Sequence, residues 1–219
     1  MLGAHPSFKR TRSGKPLNSN VRRLKMREIS PAVNMSAEEF LLLAPEHKGK
    51  VYLIRAQKAA GERHRPSTSL IDRSTLFDAT FRAALLDRVA RLVDENLFGR
   101  SEMCQQFALL LAQAIQFKGL SAHAVSGEVI YFAGGSKVFS WEHAWVRIGA
   151  EVVDGNVDSQ FENPIVPKSV NCQPYWGPIT TVPSDRKLRP WQSSSVAPDP
   201  DVSSVWWPEL EAWLMGEKQ

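Results

Sequence analysis

Three residues in this chain have the types and the order that nucleophilic catalysis needs: Cys104, His143 and Asp154. A cysteine attacks as its thiolate, requires a base to hold and return the proton, and that base requires a partner to fix its tautomer. Cys104 opens the run CQQFALLLAQAIQFKGL, which is apolar-rich and ends at Lys118-Gly119, so the pattern predicts a helix closed by a glycine C-cap. At the mouth of such a helix the unpaired N–H groups and the positive dipole end favour a thiolate over a thiol.

His143 lies in Ser140-Trp141-Glu142-His143-Ala144-Trp145-Val146, and Asp154 follows Val152-Val153. If Gly149-Ala150 is a two-residue hairpin loop, Ile148 opposes Glu151, Trp145 opposes Asp154 and His143 opposes Asn156. His143, Trp145, Asp154 and Asn156 then share one sheet face, and Asp154 is the diagonal neighbour of His143. A carboxylate there accepts from one imidazole nitrogen and leaves the other for the cysteine proton. A slip of one residue would turn Asp154 to the opposite face, with Asn156 and Asp158 as rival orienters under other loop lengths. Trp145 either walls the site or fills the core.

The elements that must position these groups follow from periodicity. From about Ser74 to Leu97 the apolar residues Leu76, Phe77, Phe81, Ala84, Leu85, Val89, Leu92 and Val93 recur at helical steps, predicting an amphipathic helix packed against the cysteine helix. Residues 121–132 and 138–148 read as strands around a turn at 133–137, and 151–154 as the next strand. Helices first and strands afterwards predict an α+β domain, with the cysteine helix packed on an antiparallel sheet.

Upstream, Ser36 and Glu39 form a capping-box pattern before a short helix stopped by Pro45, residues 50–54 read as a strand and 57–70 as an exposed loop. Three regions result: a basic, disordered arm over 1–28, a catalytic core over 29–160, and a Pro- and Trp-rich segment over 161–219 that wraps the core and ends in a helix over 208–215. His64, flanked by Arg63 and Arg65, reads as part of a solvated charge cluster, and His123, with no carboxylate at a partner spacing, as structural. Cys172, the second of two cysteines, has no helix start to activate it and reads as buried.

With two cysteines and five histidines the chain has neither a disulfide framework nor an expected zinc site, and no cofactor is called for. Eight of the 27 Lys and Arg residues lie in residues 1–27, which contain no acid, so the net charge of +4 belongs to the arm and the remainder is acidic. Such an arm suits an acidic partner. Nucleic acid is the weaker reading, because only Phe8 is available to stack on bases. No run approaches the ~20 apolar residues of a membrane helix. The opening MLGAHPSFKRTRSGKPLNSN also lacks the apolar stretch of a secretory signal, so the expected location is the cytoplasm, or outside by a leaderless route.

Cys104 with its helix, the strand Ala122–Gly127, Trp141-Glu142-His143-Ala144-Trp145-Val146 and Val153-Asp154 together resemble the transglutaminase-like branch of the papain-type fold, over roughly residues 95–160. Leader peptidases of lasso-peptide biosynthesis share a similar Cys, HAWV and Asp arrangement. Arylamine N-acetyltransferases are more remote, since their Arg-Gly-Gly approach to the cysteine is absent from Gly99-Arg100-Ser101-Glu102-Met103.

The resemblance implies Cys104 as nucleophile, His143 as general base and acid, Asp154 as orienter, and a protein or peptide amide as substrate. Hydrolysis, deamidation and transamidation are the possible outcomes. The Cys104 N–H would supply one oxyanion donor. The sequence departs from papain-type enzymes upstream, where a polar side chain often supplies the second donor: Leu97 and Phe98 stand there, with Asn96 the nearest substitute. The competing expectation is a non-catalytic binding or structural protein that keeps the fold and meets acidic partners through its arm.

Overall fold

The structure is a computed structural model that describes residues 69–96, 100, 103–162 and 166–216. The basic arm, the expected helix and strand before residue 55, the loop with His64, and Leu97 and Phe98 lie outside the described residues, as does the side chain of Asn96. The elements are β1 (Ile71–Asp72), α1 (Ala79–Asn96), α2 (Cys104–Phe117), β2 (His123–Ala133), β3 (Ser136–Ile148), β4 (Glu151–Asp154), β5 (Tyr175–Pro178), β6 (Arg186–Ser195) and α3 (Trp207–Gly216). The fold is α+β. One six-stranded sheet runs β1-β5-β4-β3-β2-β6 and carries the three α-helices of the described residues.

The sheet is mixed rather than antiparallel. β1 pairs in parallel with β5, while the other pairings are antiparallel. The parallel partner is a two-residue edge piece too short to leave a periodic trace in the sequence.

α1 starts later than its apolar pattern suggests. The Asp78 carboxylate caps it by accepting from the Thr80 N–H at 2.8 Å, and Phe77 before it has a left-handed φ of 61°. Arg82 holds this approach, donating to the Leu76 and Phe77 carbonyls and pairing with Asp72 at 2.7 Å, so Leu76 and Phe77 pack on the core from a turn. α2 ends as read: Gly119 takes φ 89°, and its N–H and that of Leu120 bond back to the Gln116 and Ile115 carbonyls.

Alternation along β2, β3 and β4 separates two cores. Ala124, Ala144, Val146, Ile148 and Val153 face α1, α2 and α3, while Val125, Trp145 and Val152 join Tyr175 on the other side. Gly134 and Gly135, both at positive φ, make the two-residue turn between β2 and β3.

The chain beyond residue 161 is integral to the sheet and does not merely wrap it. β5 enters beside β4, β6 extends the far edge beside β2, and α3 joins the helical layer behind a π-helical turn over Val202–Trp206. Prolines hid these strands, because Pro178 ends β5 and Pro190 sits in an edge strand, the places where a missing N–H is tolerated. Tyr175, Trp176 and Trp206 are buried as expected of large aromatics, whereas Trp191 on the outer strand is 45% exposed.

Candidate active site

Cys104 is the first residue of α2 and is half-buried at its N-terminus, where the first-turn N–H groups have no carbonyl within the helix. The chain before it is tied down by Arg100. This guanidinium, 1% exposed, pairs through both Nη atoms with the Asp158 carboxylate and through Nε with Asp94. Asn156 Nδ2 donates to the Arg100 carbonyl at 3.1 Å. Asn156 and Asp158, the alternative orienters on sequence grounds, therefore belong to Arg100 and anchor the approach to Cys104 against the turn after β4.

The hairpin carries His143 and Asp154 together. Ile148 opposes Glu151 and Val146 opposes Val153, the register set by a Gly149-Ala150 loop with Gly149 at φ 56°. The β3–β4 ladder stops at Val146 and Val153; beyond it His143 pairs with Gly127 of β2 and Asp154 with Tyr175 of β5, and their side chains bridge β3 and β4. His143 Nε2 lies 2.8 Å from Asp154 Oδ1, with both side chains essentially inaccessible to solvent. That contact commits Nε2 and leaves Nδ1 as the free ring nitrogen.

Burial alone would lower the basicity of His143. The Asp154 charge and hydrogen bond, followed by the Cys104 sulfur, outweigh it and lift the imidazole pKa to about 10. Cys104 is thus close enough to interact with the ring from α2. Burial likewise opposes ionisation of Asp154, but His143 and then Arg186 hold its carboxyl below the usual carboxylate range. Trp145 is 2% exposed with its ring 6.5 Å from that of His143, so it fills the core and backs the imidazole at once.

Arg186, the first residue of β6, was not singled out by sequence. It is buried and donates from Nη1 to Asp154 Oδ2 at 3.0 Å, from Nη2 to the Asn171 carbonyl and from Nε to Asp185. Its guanidinium lies 5.9 Å from the centroid of the Tyr131 ring. Tyr131 is inaccessible, and burial, then the Asp154 charge, push its phenol well above the ordinary value, so it remains neutral.

Neither Cys172 nor His123 takes part in the His143–Asp154–Arg186 contacts. Cys172 is a free, buried thiol, 3.8 Å from the Val170 carbonyl, and burial pushes it up to about 12. His123 is exposed at the start of β2, opposite Arg147. Among the described residues no group of three or more His, Cys, Asp or Glu side chains is arranged to hold a metal ion, and no helix is long and apolar enough to cross a membrane.

No family model and no curated protein matches the chain. A structural-genomics crystal structure is similar at a TM-score of 0.40 and 14% identity, over 64% of this chain and 77% of that one. A likeness that slight carries no argument about fold or function.

Proposed function

We propose that this protein is a cysteine-dependent acyl-transfer enzyme acting on a protein or peptide amide, with Cys104 as nucleophile, His143 as general acid and base, and Asp154 as orienter. The observation that carries the reading is the buried 2.8 Å contact between His143 Nε2 and Asp154, which leaves Nδ1 for a sulfur at a helix N-terminus. Further support for a papain- or transglutaminase-like arrangement comes from the order of the parts: a cysteine-initiated helix lying on the sheet, then a strand histidine, then a strand aspartate.

In this reading the Cys104 sulfur adds to the substrate carbonyl, its proton residing on His143 Nδ1. The oxyanion forms beside the unpaired N–H groups of the first turn of α2. Collapse breaks the C–N bond, and the leaving amine or ammonia takes the proton from Nδ1. Water or a second amine then attacks the thioester, gives its proton to His143, and frees the thiol.

The test uses p-nitrophenyl acetate as a generic acyl donor. Wild-type protein should release p-nitrophenolate in a burst, with an acetyl adduct located on Cys104 by mass spectrometry, and Cys104→Ala should lose both. A burst unchanged in Cys104→Ala, or the absence of any adduct on Cys104, sinks the enzymatic reading and leaves the binding protein in its place.

A further inference from the structure

The backbone order of the sheet makes the Arg186 contact unexpected. β6 lies three strands from β4, and three spacings of about 4.8 Å would hold the two ~14 Å apart in a flat sheet, beyond the reach of an arginine side chain. For the contact to form the sheet must curl, and it does so around a third, smaller cluster, where Val129, Tyr131, Val157, Val170 and Cys172 pack together. Arg186 crosses this concave side to reach the far carboxylate oxygen of Asp154, and its own placement is over-determined: Asp185, the Asn171 carbonyl and the Tyr131 ring each hold a different part of the guanidinium. Asp185 is itself fixed, accepting from Asn171 Nδ2 at 2.6 Å.

We propose that Arg186 is a positioning residue for the active site, a fourth member of the row Cys104–His143–Asp154–Arg186 that occupies Asp154 Oδ2 and so presents Oδ1 alone to the imidazole. A carboxylate with two open oxygens can rotate and accept from the ring in more than one geometry; with one oxygen bound to a rigid guanidinium it cannot. The ring orientation follows, because the Nε2 contact decides where Nδ1 points. Arg186 also supplies the counter-charge that keeps Asp154 ionised where both side chains are closed off from solvent, and it does so without touching substrate. The groups facing Asp154 come from three elements and one loop: His143 on β3, Arg186 on β6, Tyr131 on β2 and Cys172 in the 166–174 segment. Arg186 is the permanent cation among them.

This inference rests on the proposed acyl-transfer chemistry for its consequence, not for its geometry, and the experiment separates the two. The ring nitrogens of His143 are followed by NMR against pH in wild type, Arg186→Gln and Arg186→Lys, and p-nitrophenyl acetate turnover is measured on the same samples. Removing the fixed cation withdraws a repulsion from the imidazolium, so in Arg186→Gln the His143 titration should move up by about one unit and its Nε2–H signal should broaden as Asp154 gains freedom. Ester turnover should fall by about tenfold or more, with Arg186→Lys between the two because an ammonium keeps the charge and loses the fork. Should Arg186→Gln fail to fold, the lysine variant decides, with a smaller shift in the same direction and a severalfold loss of turnover. A His143 titration and Nε2–H signal identical to wild type in every folded variant overturns the role of Arg186. A shifted titration in a protein whose wild type forms no Cys104 acyl adduct upholds the positioning and refutes the acyl-transfer reading instead.

Discussion

Replacing Arg100 with alanine should unfold the protein more readily than almost any other single change on its polar side. The guanidinium is 1% exposed and spends its donors on Asp158, Asp94 and Asn156, so truncation leaves the Asp158 carboxylate buried with its strongest partner gone. Breaking a buried ion pair from one side typically costs about 3–5 kcal/mol. A lone surface pair would cost under about 1 kcal/mol, and the burial of Arg100 decides between the two figures. Burial opposes the Arg100 charge, but the Asp158 and Asp94 charges outweigh it and hold the guanidinium more firmly protonated than in water, so the native site retains the cation. The assay is urea denaturation followed by tryptophan fluorescence, with the slope unchanged and the midpoint lowered. Arg100→Lys should fall between, since a point charge cannot match the two-pronged contact. The apolar double replacement Arg100→Met with Asp158→Leu should recover most of the loss, because neither charge is then stranded. A loss below about 1 kcal/mol in Arg100→Ala would refute the assignment of a buried, stability-determining pair. The same variant should also slow acetylation of Cys104, because the pair anchors the chain four residues before it.

Raising the pH should destabilise the protein through His143: its folded pKa of about 10 lies above the unfolded value of 6.5, so the stabilisation is complete below 6.5 and is lost as the pH rises towards 10. Thermal melts from pH 6 to 10, done in a Cys172→Ala background to remove the buried thiol that also titrates at alkaline pH, should show a falling midpoint that His143→Gln flattens; an unchanged slope in that variant counts against the pair. At the acid end the depressed carboxyl of Asp154 works oppositely, giving stability above its unfolded pKa of 3.8 that disappears as the pH falls through the folded value, and Asp154→Asn should blunt this acid loss. Gly155→Ala should destabilise by about 1–3 kcal/mol, because the added Cβ would stand 2.7 Å from Leu86 and 2.8 Å from Phe107, where β4 runs close under the helices; a neutral result in denaturant melts would show that these side chains give way. Trp145→Ala should cost about 3–5 kcal/mol as a cavity beside His143, measured the same way, with a loss under about 1 kcal/mol removing Trp145 from the core account.

Local rules fixed much of what lies between residues 100 and 160. A left-handed glycine ends α2 after Lys118, and the two-residue loop at Gly149 sets the register by steric preference alone, so the adjacency of His143 and Asp154 was legible from their positions on one hairpin. Cys104 at the head of a helix was legible for the same reason: the apolar period and the first polar residues before it lie within a few residues of one another. Asn156 and Asp158 show the limit of such reasoning, since they follow the strand at plausible spacings but lie in the turn after β4 and were claimed by an arginine that only the folded loop brings in.

Sequence by itself determined the α+β class, the helix that presents the sulfur and the hairpin that pairs imidazole with carboxylate, because each depends on contacts between residues close in the chain. Tertiary structure alone decided that β1 runs parallel, that the proline-rich segment beyond residue 161 supplies two strands, and that Arg186 stands 32 residues beyond Asp154 yet holds its second oxygen. The physical reason is that sheet curvature is a collective property of strand twist and of the core packed inside it, and no spacing along the chain encodes which residues it will bring face to face.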